Sequence, residues 1–338
     1  MFSSYFKELD DLMDFIPLAK SFGIVREEAR VSYKDRSFPI FSFSFGEGGS
    51  KDPVLVIVGG VHGLEAVGTT VALSYLRTFL QLMQWDQLTR DTMKKCRILF
   101  YPLANPVGMY RKSRSNGNGV DLMRNAPIDA QQKSFLGVGG HRVSSLLPWY
   151  RGAADAPMEP ESQALCQFVK REVFEAKTCI SLDIHSGFGL VDRLWFPYAN
   201  TQEPFPEISK IYSLKQLLDF TFPNHVYKVE PQSVNYVTHG DIWDYLYIEH
   251  QRFNQENKTF IPFSLEMGSW HWVRKNPKQL LSKIGIFNPV MPHRLQRIQR
   301  RHFGLIDFLL KAINSEEAWS HQQDHKPSVT PQAPSHAI

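Results

Sequence analysis

Val54-Leu55-Val56-Ile57-Val58-Gly59-Gly60-Val61-His62-Gly63-Leu64-Glu65 carries no charge through Val61, then sets an imidazole and a carboxylate three positions apart. The β-branched run reads as a strand buried on both faces. From Ala66 to Leu80 apolar residues recur at helical spacing, so Glu65 falls where a helix begins. The same strand-like character returns in Arg97 to Leu103 (RILFYPL), Cys179 to Ile184 (CISLDI) and Ile261 to Leu265 (IPFSL), with a helical stretch over Glu161 to Phe174. Strands alternating with helices predict an α/β sheet.

Outward from this centre, residues 4–22 have an amphipathic helical pattern. RVSYK and PIFSFSFGEG follow with the two-residue rhythm of paired strands, broken near Asp35-Arg36. Residues 126–160 are rich in Gly and Pro and predict a long ordered loop of the kind that often carries function. Arg294 to Ile313 reads as a basic amphipathic helix with a solvated charged face that closes the fold. From Ser315 the composition turns to Ser, Gln, His and Pro. We therefore expect one domain over residues 1–314 and a disordered tail over 315–338.

Composition sets further limits. The 338 residues, 43% hydrophobic, are enough to bury a large core. A net charge of +4 spread over 38 basic and 34 acidic residues argues against nucleic acid as a partner. The longest clean apolar run is far below the roughly 20 residues that span a bilayer, so no membrane segment is expected. Glu8, Asp10, Asp11 and Asp14 interrupt the first twenty residues, which points to a cytoplasmic protein. Cys96, Cys166 and Cys179 are an odd number at wide spacing, fitting reduced core thiols better than a disulfide frame.

A histidine and a glutamate three apart, where a strand meets a helix, can aim at one point, and zinc accepts both ligand types. Alone, the pair equally fits a loop histidine beside a glutamate placed at the positive end of a helix dipole. Further segments follow in order: Asn105-Pro106-Val107-Gly108-Met109-Tyr110-Arg111, Asp121-Leu122-Met123-Arg124-Asn125, Asp183-Ile184-His185-Ser186 and Phe263-Ser264-Leu265-Glu266. With them the chain resembles the M14 family of zinc carboxypeptidases over roughly residues 54 to 270. The stretch from Tyr150-Arg151-Gly152 to Glu159-Pro160-Glu161 looks like a further element of that family.

The resemblance implies a three-layer α/β/α fold with a mixed central sheet. It makes His62, Glu65 and His185 the zinc ligands and leaves a fourth position for water. Glu266 would be the general base. Arg111, with Lys112 and Arg114 close by, would polarise the scissile carbonyl. Arg124 and Asn125 would bind the substrate, the arginine by clamping its terminal carboxylate, and Tyr236 would close over it. Trp243 would lie at the specificity pocket. Asp183 shares a strand face with His185 and can orient it, or else cap a neighbouring loop. One departure stands out: Met123 sits where the family commonly has an asparagine, and a thioether cannot donate a hydrogen bond to a carboxylate.

The expected activity is zinc-dependent release of a C-terminal residue from small peptides. A zinc deacylase or amidase acting on acyl amino acids or cell-wall peptides is the alternative, and a zinc-binding protein without turnover a second one. Seven further histidines (His141, His225, His239, His250, His271, His293, His302) have no partner at ligand spacing.

Overall fold

A computed structural model describes residues 5–320, apart from 136, 255–257 and 283. Eight strands form one sheet: β1 (Gly23–Tyr33), β2 (Arg36–Phe45), β3 (Val54–Gly59), β4 (Arg97–Tyr101), β5 (Thr178–Ser186), β6 (Arg193–Phe196), β7 (Lys228–Pro231) and β8 (Thr259–Met267). Their order across the sheet is β1-β2-β4-β3-β5-β8-β6-β7. The central four, β4, β3, β5 and β8, are parallel. Antiparallel pairing joins β1 to β2, β2 to β4 and β6 to β8, so the sheet is mixed as expected.

The helices are α1 (Lys7–Lys20), α2 (Ala66–Trp85), α3 (Gln87–Met93), α4 (Pro106–Arg111), α5 (Pro160–Val173), α6 (Ile208–Thr221), α7 (Ile242–Phe253), α8 (Trp270–Lys275), α9 (Pro292–Ile313) and α10 (Glu317–Ser320). Helices α2 and α9 pack on β3 and β5, with α1 against α2, while α5 and α7 pack together and α7 lies on β8. The three-layer α/β/α arrangement follows from strands that are apolar on both faces. Val54 to Val58 have no exposed surface at all, and a sheet of that kind needs cover on each side.

Two features position the functional residues. β3 is the first parallel strand in the chain; the next, β4, lies on one side of it and β5 on the other. Such a reversal opens a crevice at the carboxyl ends of the strands. The register then brings Gly59 beside Ile184 and His185 beside Glu266. Residues more than eighty positions apart thus end level with one another.

The carboxyl-terminal boundary differs from expectation. Residues 315–320 belong to the fold: Trp319 is buried, and Glu316 accepts hydrogen bonds from Thr178 and Thr259 at the start of two central strands. One buried tryptophan within a polar stretch is a weak signal in sequence, yet it supplies a large apolar area. The remainder of the expected tail, residues 321–338, lies outside the described residues.

Packing of α2 on the sheet depends on Gly68. A methyl group there would lie 2.2 Å from the Ile184 carbonyl oxygen. Gly68→Ala is expected to cost about 1–3 kcal/mol of stability by overpacking, read by urea denaturation. A change within about 0.5 kcal/mol would show that the helix does not sit this close.

Candidate metal centre and substrate cavity

His62 and Glu65 lie in the loop between β3 and α2, and His185 lies near the end of β5. Gly63 lets that loop approach α4: a Cβ on it would stand 2.0 Å from the carbonyl carbon of Gly108. The oily strand therefore ends on ionisable groups because the loop is pinned where β5 brings its own histidine. His62 Nδ1 lies 2.9 Å from Glu65 Oε1, and His185 Nδ1 lies 3.2 Å from both His62 Nδ1 and Glu65 Oε2. All three side chains are buried.

The outer ring nitrogens decide what the inner ones can do. His62 Nε2 meets Asp121 Oδ1 at 3.1 Å, and His185 Nε2 meets Asp183 Oδ2 at 2.8 Å. Asp121 is fixed in turn by Arg114 Nε at 2.7 Å and Asp183 by the Trp243 indole N–H at 2.9 Å. A buried carboxylate on each Nε2 holds the proton there and leaves both Nδ1 lone pairs facing each other and Glu65. Facing lone pairs repel unless a cation lies between them. Tetrahedral ligands about 2.0 Å from zinc stand about 3.3 Å apart, close to the separations here. His62, Glu65 and His185 therefore fit a zinc ion, and they are the only His, Cys, Asp and Glu group among the described residues that fits a metal.

Electrostatics agree with that reading. Burial pushes the Glu65 carboxyl up, but the His62 and His185 imidazoles outweigh it and hold the group well below the usual carboxylate range. Burial likewise raises Asp121, and Arg114 with His62 reverses the effect. Glu266 is different. Its removal from water dominates and lifts its carboxyl to about 7, with Oε2 unpartnered.

A cavity of about 280 Å³, counting its mouth, opens over these groups and is lined by His62, His185, Arg114, Arg124, Tyr236 and Glu266, with Met123, Trp195, Gln232 and Ser264 completing the wall. Arg124 is buried, donates to the carbonyls of Val138 (3.2 Å) and Met123 (3.4 Å) and interacts with the Tyr236 hydroxyl. No described carboxylate pairs with it. The Tyr236 ring packs edge-on to Trp195.

Three residues expected at this site lie elsewhere. Arg111 ends the short helix α4; its guanidinium turns outward to the carbonyls of Asn116 (2.9 Å) and Gly117 (3.2 Å) and stacks on Tyr33. The left-handed turn at Lys112 reverses the chain, and Arg114 enters the cavity instead, 3.5 Å from Glu65. Asn125 is a structural tie: its amide donates to Arg151 O (3.0 Å) and accepts from Glu159 N (2.6 Å). Trp243 is buried behind the cavity, drawn away by its bond to Asp183. The aromatic wall comes from Trp195, paired across β6 and β8 with Ser264. Ser264 was legible in sequence, since it lies two residues before Glu266 on a strand and shares its face. Nothing local marked Trp195.

The sequence model of the zinc carboxypeptidases matches residues 24–274, and the chain belongs to that family. Carboxypeptidase A5 of Macaca fascicularis is 25% identical over 229 residues, which covers 63% of this chain and 49% of that protein. Human carboxypeptidase A1 is 24% identical, covering 62% of this chain and 50% of its own length. The chain thus spans about half the length of the curated relatives it matches. Among solved structures, bovine thrombin-activatable fibrinolysis inhibitor superposes with a TM-score of 0.61 at 17% identity, covering 93% of this chain and 97% of that one. Carboxypeptidase A of Helicoverpa armigera gives 0.59 at 19% identity, over 92% and 72%. At these identities the structures establish the fold.

If Asp183 orients His185, Asp183→Asn should lower zinc affinity about 10–100-fold, measured by competition with a chelator at fixed pH. Unchanged affinity would reduce Asp183 to a partner of Trp243.

Proposed function

We propose that this chain is a metallocarboxypeptidase that hydrolyses the C-terminal amide bond of small peptides. One observation carries the reading: a buried Arg124 with no carboxylate at ion-pair distance among the described residues and a Glu266 with a raised carboxyl share a small cavity with a group of ligands that fits zinc. Zinc bound there supplies the Lewis acidity that makes water a nucleophile near neutral pH. The remaining work falls to the chain. Arg124 offers its planar fork to the substrate's terminal carboxylate, a two-point contact that sets the amide in register. Met123 contributes no second donor, so the carboxylate rests on the arginine and on the Tyr236 hydroxyl.

Glu266 takes a proton from the attacking water and passes it to the departing amine, which needs a carboxyl that titrates close to the working pH. Arg114, held charged by Asp121 and Glu65, points its remaining donors at the place where the carbonyl oxygen gains negative charge. The reading also places the protein in the cytoplasm, supported by three cysteines that are buried and unpaired. No helix among the described residues is long and apolar enough to cross a membrane.

Glu266→Gln should lower kcat about 10²–10⁴-fold on a blocked dipeptide while zinc stays bound. The wild-type rate should fall as pH drops, because protonation removes the base. With a dication nearby favouring the charged form, the midpoint should lie below the value of about 7 that burial and the neighbouring charges set without it. Equal rates for wild type and variant would identify a zinc-binding protein without turnover, and activity on N-acyl amino acids alone would identify a deacylase.

The cavity also implies a side-chain preference. The cavity is narrow, about 280 Å³ even counting its mouth, and Trp195, fixed by Glu230, fills the wall beside Ser264. C-terminal Gly or Ala should be released at least about tenfold faster than Phe, and Trp195→Ala should narrow or invert that ratio. Wild-type protein that prefers Phe would show that Trp195 does not limit the pocket.

A further inference from the structure

A second cleft, separate from the metal centre, opens between α8, α9 and the loop that follows β5, with a volume of about 1020 Å³ counting its mouth. Lys275, Arg294, Arg297, Arg301, His271 and His293 line it. The only carboxylate in its wall is Asp192, and that group is already engaged: Oδ2 pairs with Arg301 at 2.7 Å, and Oδ1 accepts from Gly268 N. Arg294 donates to the Trp272 carbonyl and Gln279, neither of them anionic. Lys275 and Arg297 have no carboxylate partner among the described residues.

The 38 basic and 34 acidic residues of this chain are nearly balanced, so four Lys and Arg around one cleft with a single acid is a local excess. Burial together with the charges of Lys275, Arg274, Arg301 and Arg294 holds His271 below the usual imidazole range, as expected in a positive potential. The walls are not purely polar. Leu190, Val191, Trp272 and Ile298 also line the cleft and would contact the uncharged part of a ligand.

We propose that this cleft binds a small phosphorylated ligand, with Arg297 and Lys275 as the primary anion contacts. Guanidinium and ammonium groups of this kind hold phosphoryl oxygens by charge-assisted hydrogen bonds, and arginine can engage two oxygens at once. Like charges converging on one concavity repel each other when it is empty and are relieved by a multivalent anion. The site requires nothing of the hydrolase reading and stands or falls apart from it.

The test is calorimetric titration of the zinc-loaded full chain with inorganic pyrophosphate, and separately with phenyl phosphate, in 0.15 M NaCl. Wild-type protein should show saturable one-to-one binding. Lys275→Ala with Arg297→Ala should weaken it more than about tenfold, because two charge-assisted contacts are lost. Neither side chain has a carboxylate partner among the described residues and both are exposed, so the variant should keep the wild-type melting temperature. Arg300→Ala, on the face of α9 turned toward Ser74 and Arg77, should bind like wild type. Absence of saturable heat in the wild type, or equal weakening by Arg300→Ala, would overturn the proposal in favour of diffuse surface charge.

Discussion

Two imidazole lone pairs and a carboxylate that face one another in the dark interior of a protein are the constraint on which this structure turns. Each histidine is held in that orientation from behind, His62 by Asp121 and His185 by Asp183. Without a cation at the focus, the arrangement carries repulsion and buried charge worth several kcal/mol. With one, the two Nδ1 lone pairs and the Glu65 carboxylate share a common partner. The acids behind the ligands are as much a part of the centre as the ligands themselves. They are anchored in turn by Arg114 and Trp243, so the support extends from the cavity wall to α7.

The sheet delivers these groups to one place. His62 follows β3, His185 ends β5 and Glu266 ends β8, three neighbouring parallel strands whose carboxyl ends open at the reversal of strand order. The spacing between Glu266 and His185 is therefore a property of sheet register, which sets the two directly beside each other. Burial of that same edge lifts the Glu266 carboxyl, which is what a proton-transfer group requires, whereas Glu65 a few ångströms away is driven the other way by the imidazoles. Two glutamates of identical intrinsic chemistry are thus driven in opposite directions from their ordinary titration range by their surroundings.

Much of this was legible in the chain. The both-faces-buried strand at Val54, the helix after Glu65, the β5 strand carrying Asp183 and His185 on one face, and IPFSL leading into Glu266 all follow from periodicity. Family resemblance joined those segments into a zinc site. What periodicity could not reach were side chains whose direction depends on a turn or a distant partner. Arg111 and Arg114 differ in sequence by three positions within a basic run, and only the left-handed residue Lys112 decides which one faces the cavity. Asn125 and Trp243 were drawn off by partners far along the chain, and β6, which brings Trp195, is too short to announce itself.

By itself the sequence determined the elements and the ligand types, because strand and helix periods, glycine placement and donor chemistry are local properties. Tertiary structure decided which arginine serves the cavity, how far the fold runs past Ile313 and how narrow the space beside Ser264 is. Those outcomes depend on sheet register and chain reversal, which bring together side chains that no spacing along the chain relates.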